Sequence, residues 1–498
     1  MEGQNRSAVI IGAGMGGLAT ALRLRRRGWE VIVLEKQPRP GGRSNLLQEN
    51  GFRADTGPTI LVMKAAFEEF YRDIQHDLHQ RLRLVQLDPN YRIYYHDGSF
   101  IDLYSNMALL AQEVEKVRPG SAQRLFRFLG ESAKKYELGM EFVERNYDHI
   151  TDLANPRAAL RLWQTQAHQN LYRQVSRFFE FDDKLTKAFS FHSMFLGLSP
   201  MDALAMYSLI TYADLALGMW FPMGGIYSII EDMLDLCQEM GVELRTNAAV
   251  EEICIDSGRV TGARLNNGEV VKSDIVVSNA DLPYTYHHLV PSRYRKRYSD
   301  SKLSKMDYAC SGFILFLGVD RVYHNVRHQA LYFSEDYRAN LEAIFKTKRL
   351  PDDPSFHLNI PTVTDPSLAP PGHSLIYVLA PMPNLQADIN WDEAAPHLRE
   401  VLLNRLEQIL DPELRRHIVW EHSYRPIDWL TDINATYGTA FGSLSHRFFQ
   451  SSYFRPHNKA DGIRGLYFVG QGTYPGIGMP MVMISSRLVT QRISVEWM

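Results

Sequence analysis

The glycine-rich stretch at residues 8–17, Ala-Val-Ile-Ile-Gly-Ala-Gly-Met-Gly-Gly, constrains the fold of this chain more than any other feature. Four apolar residues typical of a buried strand lead into Gly12, Gly14 and Gly17, which have the G-x-G-x-x-G spacing of a dinucleotide-binding turn. Gly12 would make the tight turn, Gly14 would let the backbone approach a pyrophosphate, and Gly17 would let the next helix pack close to the sheet. The free N–H groups at that helix N-terminus attract phosphate. The stretch therefore predicts a nucleotide cradle.

The residues that follow have the order expected of such a cradle. A helix-like segment and a second apolar strand lead to Glu35, 23 positions after Gly12 and close to the interval of roughly 20 residues at which an acid meets a ribose hydroxyl. The next loop contains Lys36, Gly42 and Arg43, and an arginine can bind phosphate through two parallel hydrogen bonds. A glycine-rich turn without a ligand is disfavoured because strand, glycines, helix, strand and acid occur in order.

Length and composition set wider limits on the chain. Its 498 residues exceed what one simple core usually holds, so two or more domains are expected. A formal net charge of −3 gives no electrostatic support for a nucleic-acid partner. Cys237, Cys254 and Cys310 are too far apart for a metal motif and odd in number, which fits a reducing cytoplasm better than a disulfide framework. We also expect no membrane-spanning helix, because no apolar run reaches about 18 residues.

Three further segments carry a family resemblance. They are Gly-Phe-Arg-Ala-Asp-Thr-Gly-Pro-Thr at residues 51–59, Trp-Phe-Pro-Met-Gly-Gly at residues 220–225, and the glycine- and proline-rich stretch at residues 470–480. With the opening motif they resemble the FAD-dependent bacterial phytoene desaturases and their relatives, the carotenoid desaturases and isomerases. The resemblance extends over residues 9–487.

The resemblance implies FAD as the cofactor, since dinucleotide signals occur at both ends of the chain and NAD would need only the first. A helix beginning near Met479 would direct its positive dipole end at the flavin, where negative charge collects on reduction. Where many family members have a histidine this chain has Tyr474, so the substrate and the number of desaturation steps stay open. The implied cofactor-binding residues are Gly12, Gly14, Gly17, Glu35, Lys36, Gly42, Arg43, Gly57, Pro58, Thr59, Val250, Gly470, Gln471, Gly478 and Met479.

The implied fold is α/β: a Rossmann-type FAD-binding domain with an inserted α+β substrate domain and a helical region, as in amine oxidases and GDP-dissociation inhibitors. The alternation of apolar residues in residues 83–103 predicts a small antiparallel meander that begins the second domain. Helical periodicity predicts helices at residues 226–240 and 391–410. The FAD-binding domain is expected at residues 1–82, 221–290 and 453–498, and the substrate domain at residues 83–220 and 291–452.

The expected chemistry is hydride transfer from an allylic carbon of a polyene to flavin N5, with loss of a proton from the neighbouring carbon. A polyene offers no charge to bind, so an apolar tunnel is expected rather than a polar triad. The chain lacks G-x-S-x-G, H-E-x-x-H and a second G-x-G-x-x-G, which argues against a hydrolase, a metalloprotease and a flavin monooxygenase. His192, Asp152 and Tyr474 are possible proton acceptors, each more typical of a structural role, and no metal ligands are expected.

The resemblance also implies partners and a location. The substrate would be a lipid-soluble polyene, quinone or oxygen would reoxidise the flavin, and the protein would be cytoplasmic and bound peripherally to the inner face of the cell membrane. Alternatives are a desaturase of thirty-carbon or hydroxylated carotenoids, a carotene isomerase, a flavin amine oxidase, and a non-enzymatic prenyl-binding chaperone. The intact phosphate glycines argue against the chaperone. Carotene chain length, cis/trans specificity, electron acceptor and oligomeric state stay open.

Overall fold

The computed structural model of the chain describes residues 6–147 and 163–497. Its strands are β1 Ser7–Ile11, β2 Glu30–Leu34, β3 Leu46–Glu49, β4 Phe52–Asp55, β5 Leu84–Gln86, β6 Tyr91–Tyr95, β7 Phe100–Leu103, β8 Trp220–Pro222, β9 Glu243–Arg245, β10 Val250–Asp256, β11 Arg259–Leu265, β12 Val270–Lys272, β13 Ile275–Ser278, β14 Ser311–Val319, β15 Gln329–Phe333, β16 Phe356–Asn359, β17 Ser374–Met382, β18 Ile418–Tyr424 and β19 Leu466–Phe468.

The longer helices are α1 Met15–Arg26, α2 Ala65–Asp73, α3 Met107–Val117, α4 Ser121–Val143, α5 Leu171–Phe178, α6 Asp183–Ser190, α7 Ser208–Leu215, α8 Tyr227–Met240, α9 Tyr337–Glu342, α10 Trp391–Ile409, α11 Pro426–Ile433 and α12 Met479–Trp497. Short helical turns occupy Leu78–Arg81, Leu282–Tyr284 and Asp300–Leu303. The predicted helices at 226–240 and 391–410 are thus confirmed, as α8 and α10. None of the described helices combines the length and the apolar character needed to cross a bilayer.

A parallel sheet of five strands, in the order β19-β13-β1-β2-β9, carries the glycine turn. The side chains of β1 divide between its two faces because successive residues of a strand point in opposite directions. Ala8 and Ile10 join the core beneath α1, α8 and α12, whereas Val9 and Ile11 pack towards the antiparallel sheet β10-β11-β12. Burial on both faces explains the continuous apolar run that precedes Gly12.

A second, larger sheet has the strand order β18-β14-β17-β16-β15-β6-β7. Its pairs are antiparallel except for β15 with β6. Along β14, Phe313 and Leu315 pack in the core formed with α10, and the alternate Ile314 and Phe316 belong to the core shared with α3 to α6. The second sheet is therefore covered by one helix on one face and by the helical region on the other.

The predicted meander over residues 83–103 is wrong in one respect. β6 and β7 form a hairpin, but β5 pairs with β8 instead of β6. The N–H of Leu87 donates to the carbonyl of Met219, whereas the N–H of Asn90 donates to the carbonyl of Leu103, so the chain changes sheets between these residues. Alternation of apolar residues predicts a strand but not its partner, and the partner of β5 lies more than 100 residues away in the sequence.

Candidate functional site

A first cavity opens at the junction of β1 and α1 and measures about 1110 Å³ with its open mouth. Its wall brings together ten of the fifteen predicted cofactor residues: Gly12, Gly14, Glu35, Lys36, Gly42, Arg43, Val250, Gly470, Gln471 and Met479. Gly17 lies behind the wall. A Cβ there would overlap the carbonyl oxygen of Gly12, so this glycine lets α1 pack against the turn, as its position in the motif predicts.

Glu35 lies at the end of β2, where it connects the first turn to the following loop. Its carboxylate accepts hydrogen bonds from the backbone N–H of Ala13 at 2.7 Å and of Gln37 at 2.9 Å. Burial raises the pKa of Glu35, and these two N–H donors oppose that rise. Lys36, beside it, donates from Nζ to Asn434 Oδ1 at 2.8 Å, which fixes the loop against the end of α11.

Asn279 is a site residue to which the sequence analysis assigned no function, and it joins the two glycine turns. It follows β13, and its Nδ2 donates to the carbonyl of Gly12 at 3.3 Å. A Cβ on Gly14 would lie 2.9 Å from Asn279 Nδ2, and a Cβ on Gly470 would lie 2.9 Å from its Oδ1. Glycine at these two positions thus leaves room for the Asn279 side chain as well as for a ligand. The signal available in the sequence for this residue was a short polar side chain directly after β13, a strand of the parallel sheet.

Arg43 and Gln471 lie where the first cavity meets a second one. The Arg43 guanidinium donates to the carbonyl of Thr439 at 3.3 Å and lies 3.8 Å from the carboxylate of Asp281. Among the described residues, its Nε and the Oε1 of Gln471 are buried without hydrogen-bond partners. An unsatisfied donor and an unsatisfied acceptor fit a flavin ring, whose pyrimidine edge carries both kinds of group. Helix α12 begins here at Met479, with its positive dipole end towards the same junction.

The second cavity measures about 1420 Å³ with its mouth, and it is lined mainly by apolar and aromatic side chains. These include Ile60, Val62, Phe191, Phe195, Leu331, Phe333, Leu341, Phe356, Leu379, Trp429, Phe441 and Ile477. The remaining predicted cofactor residues, Gly57, Pro58, Thr59 and Gly478, line this second cavity and not the first, whereas Arg43, Gln471 and Met479 line both. The two cavities therefore form one continuous site.

The polar groups of the second cavity are almost all neutral. His357 Nε2 lies 2.5 Å from Gln329 Oε1, and burial lowers the pKa of His357 to about 4. Tyr377 donates to the carbonyl of Gly57 at 3.2 Å, and burial raises the pKa of Tyr377. None of the described lining residues carries a carboxylate. Arg43, at the junction, is the charged group of the lining, so the cavity suits a neutral, apolar molecule.

Two of the three possible proton acceptors, His192 and Tyr474, do not line this cavity. His192 is fully buried, with Nε2 at 2.9 Å from Asp214 Oδ2 and Nδ1 at 3.2 Å from Thr211 Oγ1. Tyr474 donates to the carbonyl of Phe142, and neither residue lines the second cavity. Asp152 lies outside the described residues. The ionisable side chains that do line the cavity include His357, which the sequence analysis did not single out.

Two segments of the family resemblance meet in a single helix cap. The carboxylate of Asp55, from residues 51–59, accepts from the N–H groups of Ile226 at 2.7 Å and Tyr227 at 2.8 Å. These residues follow the Trp-Phe-Pro-Met-Gly-Gly turn and begin α8. Burial raises the pKa of Asp55 to about 6, against the effect of both hydrogen bonds. Asp55 itself lines neither cavity, so this helix cap serves the fold around the site.

Comparisons with known proteins agree with this geometry. The family described as flavin containing amine oxidoreductase matches residues 15–494. The zeta-carotene-forming phytoene desaturase of Myxococcus xanthus is 41% identical over 492 residues, which cover 98% of this chain and 94% of the relative. The lycopene-forming phytoene desaturase of Pseudescherichia vulneris is 35% identical and covers 99% of each chain.

Among solved structures, an oxidoreductase from Methanosarcina mazei superimposes with a TM-score of 0.66 at 19% identity, covering 97% of this chain and 100% of that one. At this level of identity the likeness concerns the fold. It confirms the α/β architecture predicted from the sequence.

Proposed function

Since the chain belongs to the phytoene desaturase family of flavin-containing amine oxidoreductases, we propose that it removes hydrogen from a linear carotene such as phytoene. FAD is the cofactor, and the product carries additional conjugated double bonds. The continuity of the dinucleotide cavity with the apolar cavity, through Arg43, Gln471 and Met479, is the observation that carries the assignment.

The residues of the chain position the two reactants. The turns at Gly12 and Gly470 and the carboxylate of Glu35 would hold the dinucleotide, and Arg43 with Gln471 would meet the flavin ring at the junction. Bound there, FAD supplies the hydride acceptor for an allylic C–H bond. The N-terminus of α12, at Met479, stabilises negative charge at the same place.

The apolar wall aligns the polyene and excludes water. Phe191, Phe333 and Trp429 are among the aromatic side chains available for contact with a conjugated chain. His357 lines this wall, and burial lowers the pKa of its ring to about 4. Its neutral ring could therefore take up the proton that the polyene loses from the neighbouring carbon. The described residues of the wall also offer no carboxylate partner to an ammonium ion, which weighs against the amine oxidase alternative.

Expression in cells that accumulate phytoene tests this function. We expect the extracted pigment to show the absorption bands of a longer conjugated system, and a Gly14→Val variant to leave phytoene unchanged because its side chain would press on Asn279. Colourless phytoene from cells that hold the soluble, FAD-loaded protein would overturn the assignment. Parallel assays with thirty-carbon and hydroxylated carotenes, and with cis and trans isomers, distinguish the alternative substrates and an isomerase.

We propose a peripheral site at the inner face of the cell membrane, because the proposed substrate is dissolved in lipid. Quinone or oxygen would then reoxidise the flavin. Flotation with liposomes tests membrane binding, and protein that stays wholly at the bottom of the gradient contradicts it. Anaerobic turnover with and without added quinone distinguishes the two electron acceptors.

A further inference from the structure

Three phenylalanines form an exposed cluster on one surface turn. Phe448, Phe449 and Phe454 are 42%, 75% and 43% exposed. Their rings nevertheless contact one another, with centroids 5.1 Å apart for Phe448 and Phe449 and 5.6 Å apart for Phe449 and Phe454. We call these three residues the aromatic tip. A contiguous exposed aromatic surface of this kind is typical of a site that contacts a membrane or another molecule.

The tip stands on a firmly held base. Gln450, between the phenylalanines, donates from Nε2 to the carbonyls of Asp307 at 2.8 Å and Ser445 at 3.3 Å. The fully buried guanidinium of Arg455 donates to the carbonyls of Gln450 at 3.2 Å and Thr473 at 3.1 Å. The turn is therefore fixed by buried hydrogen bonds, and its rings are held outward.

The neighbouring segment, residues 293–305, is strongly basic, and we call it the basic segment. It leads into Asp307, whose backbone bonds to Gln450 and whose carboxylate lies 3.7 Å from Arg447 Nε. Lys296, Lys302 and Lys305 are exposed and have no ion pair among the described residues. Counted together with the acids that pair with it and with Arg447 next to the tip, this surface has seven basic and three acidic residues. They are Arg293, Arg295, Lys296, Arg297, Lys302, Lys305 and Arg447, and Asp300, Asp307 and Asp461. The surface around the tip thus has an excess of positive charge.

The same stretch of chain reaches the substrate cavity. Ala440 and Phe441 line that cavity a few residues before the tip. His446 Nε2 accepts from the N–H of Ile477 at 3.1 Å, and Ile477 is another wall residue. The tip is therefore attached to the cavity wall at both positions.

We propose that the aromatic tip and the basic segment together form the face that docks on an anionic lipid bilayer. The rings enter the interfacial layer, where aromatic side chains are favoured, and the lysines contact phosphate headgroups. A second copy of the chain docked through this face would bring like charges together, which disfavours it as the occupant. The proposal rests on the peripheral membrane binding proposed above.

Flotation of the FAD-loaded, full-length protein tests the proposal. Vesicles consist of phosphatidylcholine alone or mixed with phosphatidylglycerol. We expect the F448S/F449S/F454S variant to lose about tenfold or more in partitioning to the mixed vesicles. We expect the K296Q/K302Q/K305Q variant to lose the preference for mixed vesicles and its salt dependence. Phe181→Ser is the matched control, because Phe181 is 73% exposed but lies in the helical region, and it should float like the wild type.

Each other outcome contradicts a different claim. Wild-type protein that does not float at all overturns peripheral binding, and the docking face with it. Wild type and tip variant that float equally overturn the docking face alone, and loss of flotation in Phe181→Ser moves the contact to the helical region. A dimer seen by light scattering that disappears in the tip variant would show a contact between copies. FAD absorbance confirms that each variant is folded.

Discussion

Replacement of Gly470 by alanine should weaken FAD binding in a protein that still folds. Gly470 has φ of +105°, a conformation that costs an L-residue about 1–3 kcal/mol. The new Cβ would also lie 2.9 Å from Asn279 Oδ1, and crowding of this kind costs about 1–3 kcal/mol more. Both costs fall on the turn that lines the first cavity.

The expected result is a loss of FAD affinity of about 30-fold or more, since even the lower sum of about 2 kcal/mol gives that factor. Titration of the FAD-free protein, followed by flavin fluorescence, measures it. Asn279→Ala in the same chain should restore part of the affinity, because it removes the crowding but leaves the backbone strain.

Gly98→Ala is the matched control for this experiment. Gly98 has φ of +80°, and none of the residues that the structure describes comes within 4 Å of its added Cβ. The substitution should therefore lower the free energy of unfolding by about 1–3 kcal/mol without changing FAD affinity. A Gly470→Ala protein whose dissociation constant for FAD stays within about twofold of the wild type would refute the reasoning.

Three further predictions concern the junction, the apolar wall and buried histidines. Gln471→Leu removes an acceptor that has no partner among the described residues, so the FAD-free protein should gain about 1 kcal/mol in stability while FAD affinity falls about fivefold, as melting and titration would show. Leu341→Trp should lower the desaturation rate about tenfold or more at unchanged FAD content, measured by pigment chromatography. Burial lowers the pKa of His328 to about 3 and of His357 to about 4 from 6.5, so the unfolded chain binds more protons between about pH 4 and 6.5. The free energy of unfolding, measured with urea, should rise with pH across this range by up to about 1.4 kcal/mol per unit for each histidine, and His328→Gln should flatten the slope.

The sequence predicted the parts of the site that are specified locally. The turn from β1 through Gly12 to α1 depends on neighbouring residues, so strand pattern and glycine spacing located it, and the same holds for the beginning of α12 at Met479. Ten predicted cofactor residues consequently line one cavity.

Contacts between distant segments could not be read in this way. Asn279 contacts the turns at Gly14 and Gly470, and each of these turns is more than 180 residues away from it in the sequence. Strand β5 likewise pairs with the distant strand β8. Gly57 and Gly478 line the second cavity and not the first, together with residues that are far from them in the sequence. None of these arrangements leaves a periodic or spacing signal in the chain.

The strand order of the parallel sheet has a consequence for how the protein is made. β1 and β2 leave the ribosome early, but β19 and α12, which complete the sheet and cover α1, come from residues 466–497. Until that last segment emerges, Leu18 and Leu22 of α1 lack one of their packing partners, and Asn279 faces only one glycine turn. The two glycine turns can therefore hold the flavin together only after residues 466–497 have emerged from the ribosome.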